Sequence, residues 1–412
     1  MTTKRFTAVH LVAIVALPSI CLMIVFPHES LNAALKGVSI WWDVLFPALL
    51  PFLVIAELML GLGIVHFFGT LLDPLMRPLY RVPGIGGFVM AMGFASGYPV
   101  AAKLTSQLWE QKLVTRAEGE RLVGFATTSD PIFLIGAVSV GFFHDVSLAP
   151  ILAIAHYGTA ALLGLFLRFH GAKELPTEMP PLPNKNEWIG LRALKAMHAA
   201  RLADGRPLGA MLQQAVRSSL QLIMVIGGLV VFFSVIMEIM TAGRIMSLLY
   251  MLSDSVLRLL QIPQPLSEAV INGLFEVTLG AKAAGEAGEG LALVHKAAIA
   301  AFVLSWSGLS VHAQIVSLLH HTNLRYMPFL LSRLAHGLLA TAAVYALWEP
   351  LAGLRKDSAV FLPLIDPVTP WSNMVRWIVP STGIAFAASI AVLIVLFLIF
   401  KIWKKTFGAM LK

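Results

Sequence analysis

The chain has 412 residues, 58% of them hydrophobic and 13% charged, and its mean hydropathy is +0.81. Soluble domains are nearer half apolar and about a quarter charged, so a water-soluble fold is excluded for most of this sequence. The net charge of +8 sits mostly in short loops, as the positive-inside rule asks of a membrane protein, and speaks for the bilayer rather than for nucleic acid.

Lys4 and Arg5 precede an apolar run at 8–26, but no small-x-small cleavage site follows in Pro27-His28-Glu29-Ser30, so the run reads as a retained helix rather than a signal peptide. It holds Cys21, the one cysteine of the chain, which rules out an intramolecular disulfide or a cysteine metal cluster. Further spans are expected at 45–64, 122–143, 148–168, 216–240, 295–318, 328–348 and 379–400, each about long enough to cross roughly 30 Å of hydrocarbon. Eight crossings put both termini in the cytoplasm, with Arg77, Arg81, Lys112, Arg116, the basic 169–214 loop, Lys401, Lys404 and Lys405. Residues 27–44, 144–147 and 350–378 then face the other side. Trp41, Trp42, Trp109, Trp371, Trp377 and Trp403 fall at span ends and read as interfacial anchors.

Two apolar stretches are broken by glycines: 84–107, with Gly97-Tyr98-Pro99, and 266–285, with Gly273, Gly280 and Gly285. Irregular backbone at membrane depth is tolerated only where protein buries it or where it lines a cavity, so both are expected to be re-entrant hairpins.

The halves repeat. At an offset of 179, Gly97 to Lys103 aligns with Glu276 to Lys282. At 178, Thr127-Thr128-Ser129-Asp130-Pro131 meets Ser305-Trp306-Ser307-Gly308-Leu309, and at 180 Ala155-His156 meets Ala335-His336. Each half runs span, interfacial helix, hairpin, interrupted span, His-bearing span, and the opening spans point in opposite directions. The expected fold is an all-α polytopic membrane protein of about eight transmembrane helices plus two re-entrant hairpins, with inverted-topology repeats. Its parts are an N-terminal helix and connector (1–44), a first repeat (45–168), a cytoplasmic linker (169–214), an inverted second repeat (215–348), and a loop with a last transmembrane helix (349–412). Inverted repeats with paired broken helices are the sequence mark of a transporter with a midplane site.

Candidate site residues follow from the breaks. Lys103 and Lys282 occupy equivalent places, where a cation costs about 3 kcal/mol at the bilayer centre; each either meets an anionic substrate or snorkels to the interface. Ser129, Asp130, Ser305, Ser307 and Gly308 offer hydroxyls and freed backbone groups, or hydroxyls that only bond the preceding turn. Glu57, Glu238 and Glu276 are acids in apolar sequence, serving as relays or as partners of a buried cation. His156, His336 and His312 are possible coupling groups, or hydrogen-bonded core residues. Tyr98 and Trp306 stand beside the breaks, for stacking on a substrate ring or for packing. Motifs for a metal site, an ATP-binding loop or a hydrolase nucleophile are missing from the sequence, so neither cofactor nor enzymatic activity is expected.

Five segments, Phe46 to Phe52, Arg77-Pro78-Leu79, Gly93 to Lys103, Gly136 to Phe143 and Gly308 to Gln314, resemble the YlbJ-type sporulation integral membrane proteins, also called stage V sporulation protein V, which carry the nucleoside-recognition or Gate domain in each half. The resemblance covers roughly 40–348. It implies a multi-pass membrane carrier of a small anion, dipicolinic acid moved toward the forespore, sited in the cell membrane or the mother-cell-derived outer forespore membrane. It also implies partners among copies of itself or other sporulation membrane proteins. A nucleoside carrier is the rival within transport, and a non-transporting assembly protein the rival outside it.

Overall fold

The computed structural model describes residues 8–177, 187–288 and 290–353, and among them every regular element is helical. The span expected at 379–400, most of the 350–378 loop, and the anchors Trp371, Trp377 and Trp403 lie outside the described residues.

The first half comprises α1 (Ala8–Val25), α2 (Pro27–Ser39), α3 (Phe46–Gly61), α4 (Ile64–Tyr80), α5 (Ile85–Ser96), α6 (Tyr98–Glu110), α7 (Arg116–Ala126), α8 (Ile132–Phe142, wound wide with i to i+5 bonds) and α9 (Val146–Leu167). The linker contributes α10 (Ile189–Asp204). The second half comprises α11 (Leu208–Ala242), α12 (Ile245–Leu259), α13 (Ser267–Phe275), α14 (Val277–Glu286), α15 (Leu293–Trp306), α16 (Gly308–Leu319) and α17 (Tyr326–Leu347).

The order expected from the repeat is present in both halves: a long helix (α2–α3, α11), an amphipathic helix (α4, α12), a helical hairpin (α5–α6, α13–α14), an interrupted helix (α7–α8, α15–α16) and a closing helix (α9, α17). In α4 the buried positions Val65, Gly69, Met76 and Leu79 line one face, the pattern of a helix lying on a surface, and α4 leaves α3 at 80° through the left-handed Gly63. Both hairpins are closed tightly by small residues. A Cβ on Gly280 would come 2.2 Å from the Cα of Gly273, and one on Gly93 would come 2.9 Å from Ala101.

One expectation changes. The connector up to residue 44 is helical: α2 continues through a wide turn at Ile40–Leu45 into α3, giving a run that matches α11 in length and lies antiparallel beside it. The Trp41 indole donates to the carbonyl of Ile223 at 3.0 Å, and a Cβ on Gly37 would meet the Cα of Val231 at 2.9 Å. Hydropathy misses this half-span because α2 carries His28, Glu29, Ser30, Asn32 and Lys36 and is held by a neighbouring helix rather than by lipid. The span at 122–143 is interrupted, as its Ser129-Asp130-Pro131 run leads one to expect. It stops at Ala126 and resumes at Ile132, since Pro131 disfavours helical backbone in the residue before it.

The two halves do not have separate cores. One apolar cluster joins Leu53, Tyr80, Phe88 and Phe125 to Leu222, Ile223, Ile226 and Val230 of α11, and the other joins Leu134, Val138, Ile151 and Leu152 to Ala300, Val303 and Leu304. Each repeat thus completes its packing with helices of the other.

At one end of the bundle the basic loops come together. Glu120 on α7, with a fully buried side chain, accepts from Arg325 ahead of α17 through Nε and Nη2 at 2.8 Å and the backbone N–H at 3.0 Å, and pairs with His170 at 2.5 Å. His321 reaches Glu110 and, at 3.0 Å, the Ser106 hydroxyl. Residues 110–120, 168–177 and 320–325 therefore share one end, while Gly285 packs on the Phe142 carbonyl at the other, as opposite orientation of the repeats demands. In a Cys21→Ser background, cysteines replacing the exposed Lys173 and Asn323 should be labelled from the cytoplasmic side, and those replacing Glu286 and Glu349 from the opposite side. Same-side labelling of Asn323 and Glu349 would reject the arrangement.

Glu120 lies ahead of the 122–143 span. Burial alone would raise its pKa, but the hydrogen bonds from Arg325 and His170 hold it at about 2 against an ordinary 4.5. A folded pKa below the unfolded one stabilises above the unfolded value and is lost as pH falls through the folded value. Glu120→Gln should therefore lower the Tm of purified protein at neutral pH, with the gap to wild type closing between pH 4.5 and about 2. A gap that does not change with pH would show that Glu120 is not ionised in the clasp.

Candidate functional site

The four helix breaks meet in the middle of the molecule. In low dielectric every freed N–H and C=O needs a partner, and two of the four half-helix starts are closed by acids. The Asp130 carboxylate accepts from Phe133 N at 2.8 Å at the start of α8, and Glu276 accepts from Leu279 N at 2.8 Å at the start of α14. These are N-caps in the ordinary sense. Each acid faces a glycine. A Cβ on Gly97, at φ +87°, would come 3.3 Å from the Asp130 carboxylate, and one on Gly308, at φ +75°, would come 3.0 Å from the Phe275 carbonyl and 3.1 Å from the Cα of Glu276. The repeat exchanges the roles: Gly97 aligns with Glu276, and Asp130 with Gly308. In the first half the acid is on the interrupted helix and the glycine on the hairpin tip; in the second half this is reversed.

The other two starts, those of α6 and α16, have no side-chain cap. Around them lie Tyr98, whose hydroxyl donates to the Leu304 carbonyl at 2.7 Å, and the buried Ser129, Ser307 and Ser310, whose hydroxyls make no hydrogen bond of normal geometry among the described residues. Ser129 and Ser307 are immediate neighbours of the Tyr98 phenol.

The symmetric histidines His156 and His336 stack at 4.9 Å. His156 Nε2 accepts from Ser129 N at 2.9 Å, which fixes a neutral ring with the proton on Nδ1, facing Ser305 Oγ at 2.8 Å. The His336 Nε2–H donates to the His156 carbonyl at 2.8 Å, and its Nδ1 faces an Arg333 nitrogen at 3.2 Å. His312 is held between the Trp306 carbonyl at 3.1 Å and the Tyr326 hydroxyl at 2.7 Å. Each is thus a hydrogen-bonded core residue in this conformation.

Lys103 and Lys282 find counter-charges within their own repeats rather than each other. Lys103 pairs with Glu57 at 2.8 Å, where Gln107 also donates to that carboxylate, and the half-exposed Lys282 lies 3.7 Å from Glu286. Glu57, His66, Gln107, Glu110, Asp204 and Arg206 line a polar cavity of about 480 Å³ at the end that carries the clasp. Trp306 donates to the Leu274 carbonyl at 3.1 Å, tying the second hairpin to its interrupted helix.

The sequence reading missed Arg333. It stands first among the largest fully buried side chains, and its guanidinium donates to the carbonyls of Thr127 and Gly124 and, at 3.5 Å, of Ser305. A lone arginine inside an apolar span, three residues before His336, was the signal: such a residue is a functional candidate by default. Tyr157, whose hydroxyl donates to the Ser129 carbonyl at 3.0 Å, carries no comparable mark.

Apolar helices long enough to span a bilayer, hairpins and interrupted helices closing on a buried polar centre define an integral membrane protein of transport-related type. Comparison with known proteins agrees. The family profile described as nucleoside recognition, the Gate domain, matches residues 43–161. The sporulation integral membrane protein YlbJ of Bacillus subtilis (strain 168) is 43% identical over 329 residues, 79% of each chain, and the chain belongs to that family. No solved structure matches it.

The partly buried Lys103–Glu57 pair separates a structural from a transport role. Lys103→Ala leaves the Glu57 carboxylate without its counter-charge, held by Gln107 alone, and should lower the Tm, while adding Glu57→Gln should restore most of it. A variant pair that regains Tm yet not transport would place Lys103 on the substrate's route; recovery of both would make it structural.

Proposed function

We propose that this chain carries a small organic anion across the membrane, dipicolinate or a similar planar aromatic carboxylate, at the point where the hairpin tips meet the interrupted helices. The observation that carries this reading is the pair of half-helix starts without a side-chain cap, α6 and α16, with the buried hydroxyls of Ser129 and Ser307 gathered beside them around Tyr98. A helix N-terminus carries roughly half a positive charge and is a ready anion site. Two of them, from opposite repeats, suit a ligand with two carboxylates, and the Tyr98 ring offers a flat apolar surface between. Asp130 and Glu276 close the other two starts, so their charges are held by backbone N–H groups rather than set against the ligand. Lys103, through the cavity that Glu57 lines, and Lys282 supply positive charge on the approaches from the two sides. Membership of the YlbJ family, whose Bacillus subtilis relative is described as a sporulation integral membrane protein, supports a setting in sporulation.

A nucleoside carrier is the second reading, favoured by the description of the Gate domain. It would use the same hydroxyls as hydrogen-bond partners without needing the helix-start charge. An assembly protein that transports nothing would leave the two uncapped helix starts without a role.

Purified protein in liposomes should take up radiolabelled dipicolinate in preference to uridine. Ser129→Ala should raise the apparent KM about fivefold, the equivalent of one lost hydrogen bond of about 1 kcal/mol. Gly308→Val should nearly abolish uptake, because a β-branched residue is strained at φ +75° and its Cβ would press on Phe275 and Val277. Uridine preferred over dipicolinate would favour the nucleoside reading, and uptake of neither would favour the assembly protein.

A further inference from the structure

Arg333 is placed as a transported or coupling cation would be. The carbonyls of Gly124 and Thr127 belong to the last turn of α7 and its exit, and that of Ser305 to the last turn of α15. They lack intrahelical partners because each chain leaves its helix there. A helix C-terminus carries roughly half a negative charge, so two converging on one guanidinium are balanced by its single positive charge. The Phe329 ring, 5.6 Å from the guanidinium carbon, and the neutral His336 complete the surround. In transporters built from inverted repeats, the C-terminal ends of broken helices and their unwound carbonyls are what hold a free coupling cation. Here a side chain is in that place, fully buried and bonded across the repeats. The first repeat has no counterpart at the equivalent place, since at the offset of 180 that pairs the histidines Arg333 aligns with Ala153. A single guanidinium thus serves both interrupted helices.

We propose that Arg333 is a tethered substitute for the coupling cation: it fills the cation position between the broken helices, so that the transport cycle runs with no inorganic cation bound there. The idea rests on the transport reading, but the occupancy of the position is testable without a substrate. The Arg333→Ala variant leaves the carbonyls unmatched and opens a hole of guanidinium shape. Its Tm in detergent should fall well below that of wild type and be raised by several degrees by guanidinium chloride at tens of millimolar, with sodium, potassium and choline chlorides at equal ionic strength as controls. Wild type, its position already filled, should gain nothing from guanidinium and should melt alike in sodium, potassium and choline salts. Arg333→Lys, which keeps the charge in a smaller head, should fold and remain indifferent to sodium. If Arg333→Ala does not fold, the wild-type and Arg333→Lys melts decide. A sodium-specific rise in the wild-type Tm, or an Arg333→Ala variant that guanidinium leaves unchanged, overturns the proposal. In liposomes, dipicolinate uptake by wild type should be equal in sodium and choline media, and a severalfold fall without sodium also overturns it. Uptake of no substrate at all, with the melting results as expected, would sink the transport reading while leaving the assignment of the cation position intact.

Discussion

The structure depends on one constraint: a helix broken inside an apolar protein frees backbone donors and acceptors that water cannot reach, and each must be met by the protein itself. Four breaks, at Gly97, 127–130, Glu276 and Ser307, create this demand in one small region. The sequence answers it with three kinds of partner. Carboxylates close two helix starts, a guanidinium collects the carbonyls of two helix ends, and the neutral ring of His156 takes the N–H of Ser129. Among the described residues two helix starts keep no side-chain cap, with the buried Ser129, Ser307 and Ser310 hydroxyls beside them, and these mark the candidate site. The same need explains the backbone at the second break, where Ser307 and Gly308 both adopt positive φ. Strain of this kind in a serine persists only where the surroundings enforce it, and here the close approach of Glu276 does so.

The exchange of acid and glycine between the repeats shows how symmetry was kept while the residues diverged. In each half a carboxylate must stand at the junction of hairpin tip and interrupted helix, and the opposing backbone must come near enough that a Cβ would crowd it. Which strand of the junction bears the acid makes no difference to the cap. Gly97 with Asp130 and Glu276 with Gly308 are mirror solutions of one steric and electrostatic requirement. Arg333 breaks that symmetry, because a second guanidinium in the same space would leave an unmatched buried charge.

The clasp at the basic end is of another kind. Glu120 is bound by Arg325 of the other repeat and by His170 of the linker, whereas at the opposite end the repeats meet through the Phe142 backbone on Gly285. One end is held by paired charges and the other by close backbone packing, so separating the repeats at the two ends would break different interactions. Ion pairs weaken with salt and acid, while packing contacts respond to neither.

Several features were legible in the residues alone. Hydropathy marked the bilayer as solvent, the glycines of 84–107 and 266–285 marked the hairpins, and the three aligned landmarks marked the repeat, because each is a local property of composition or spacing. The meeting of Ser129, Ser307, His156 and His336 could be foreseen only as far as symmetry pairs them; their hydrogen bonds join residues far apart in the chain. Tertiary structure decided the rest. It made a helix of 27–44, whose polar residues hide the pattern until α11 is laid beside it, and it gave Lys103 to Glu57 and Lys282 to Glu286. It also put Arg333 against the carbonyls of another repeat. A sequence states which charges enter the membrane, but the partner of a buried charge is chosen by which backbone ends are left open when the helices pack, and that is settled only in three dimensions.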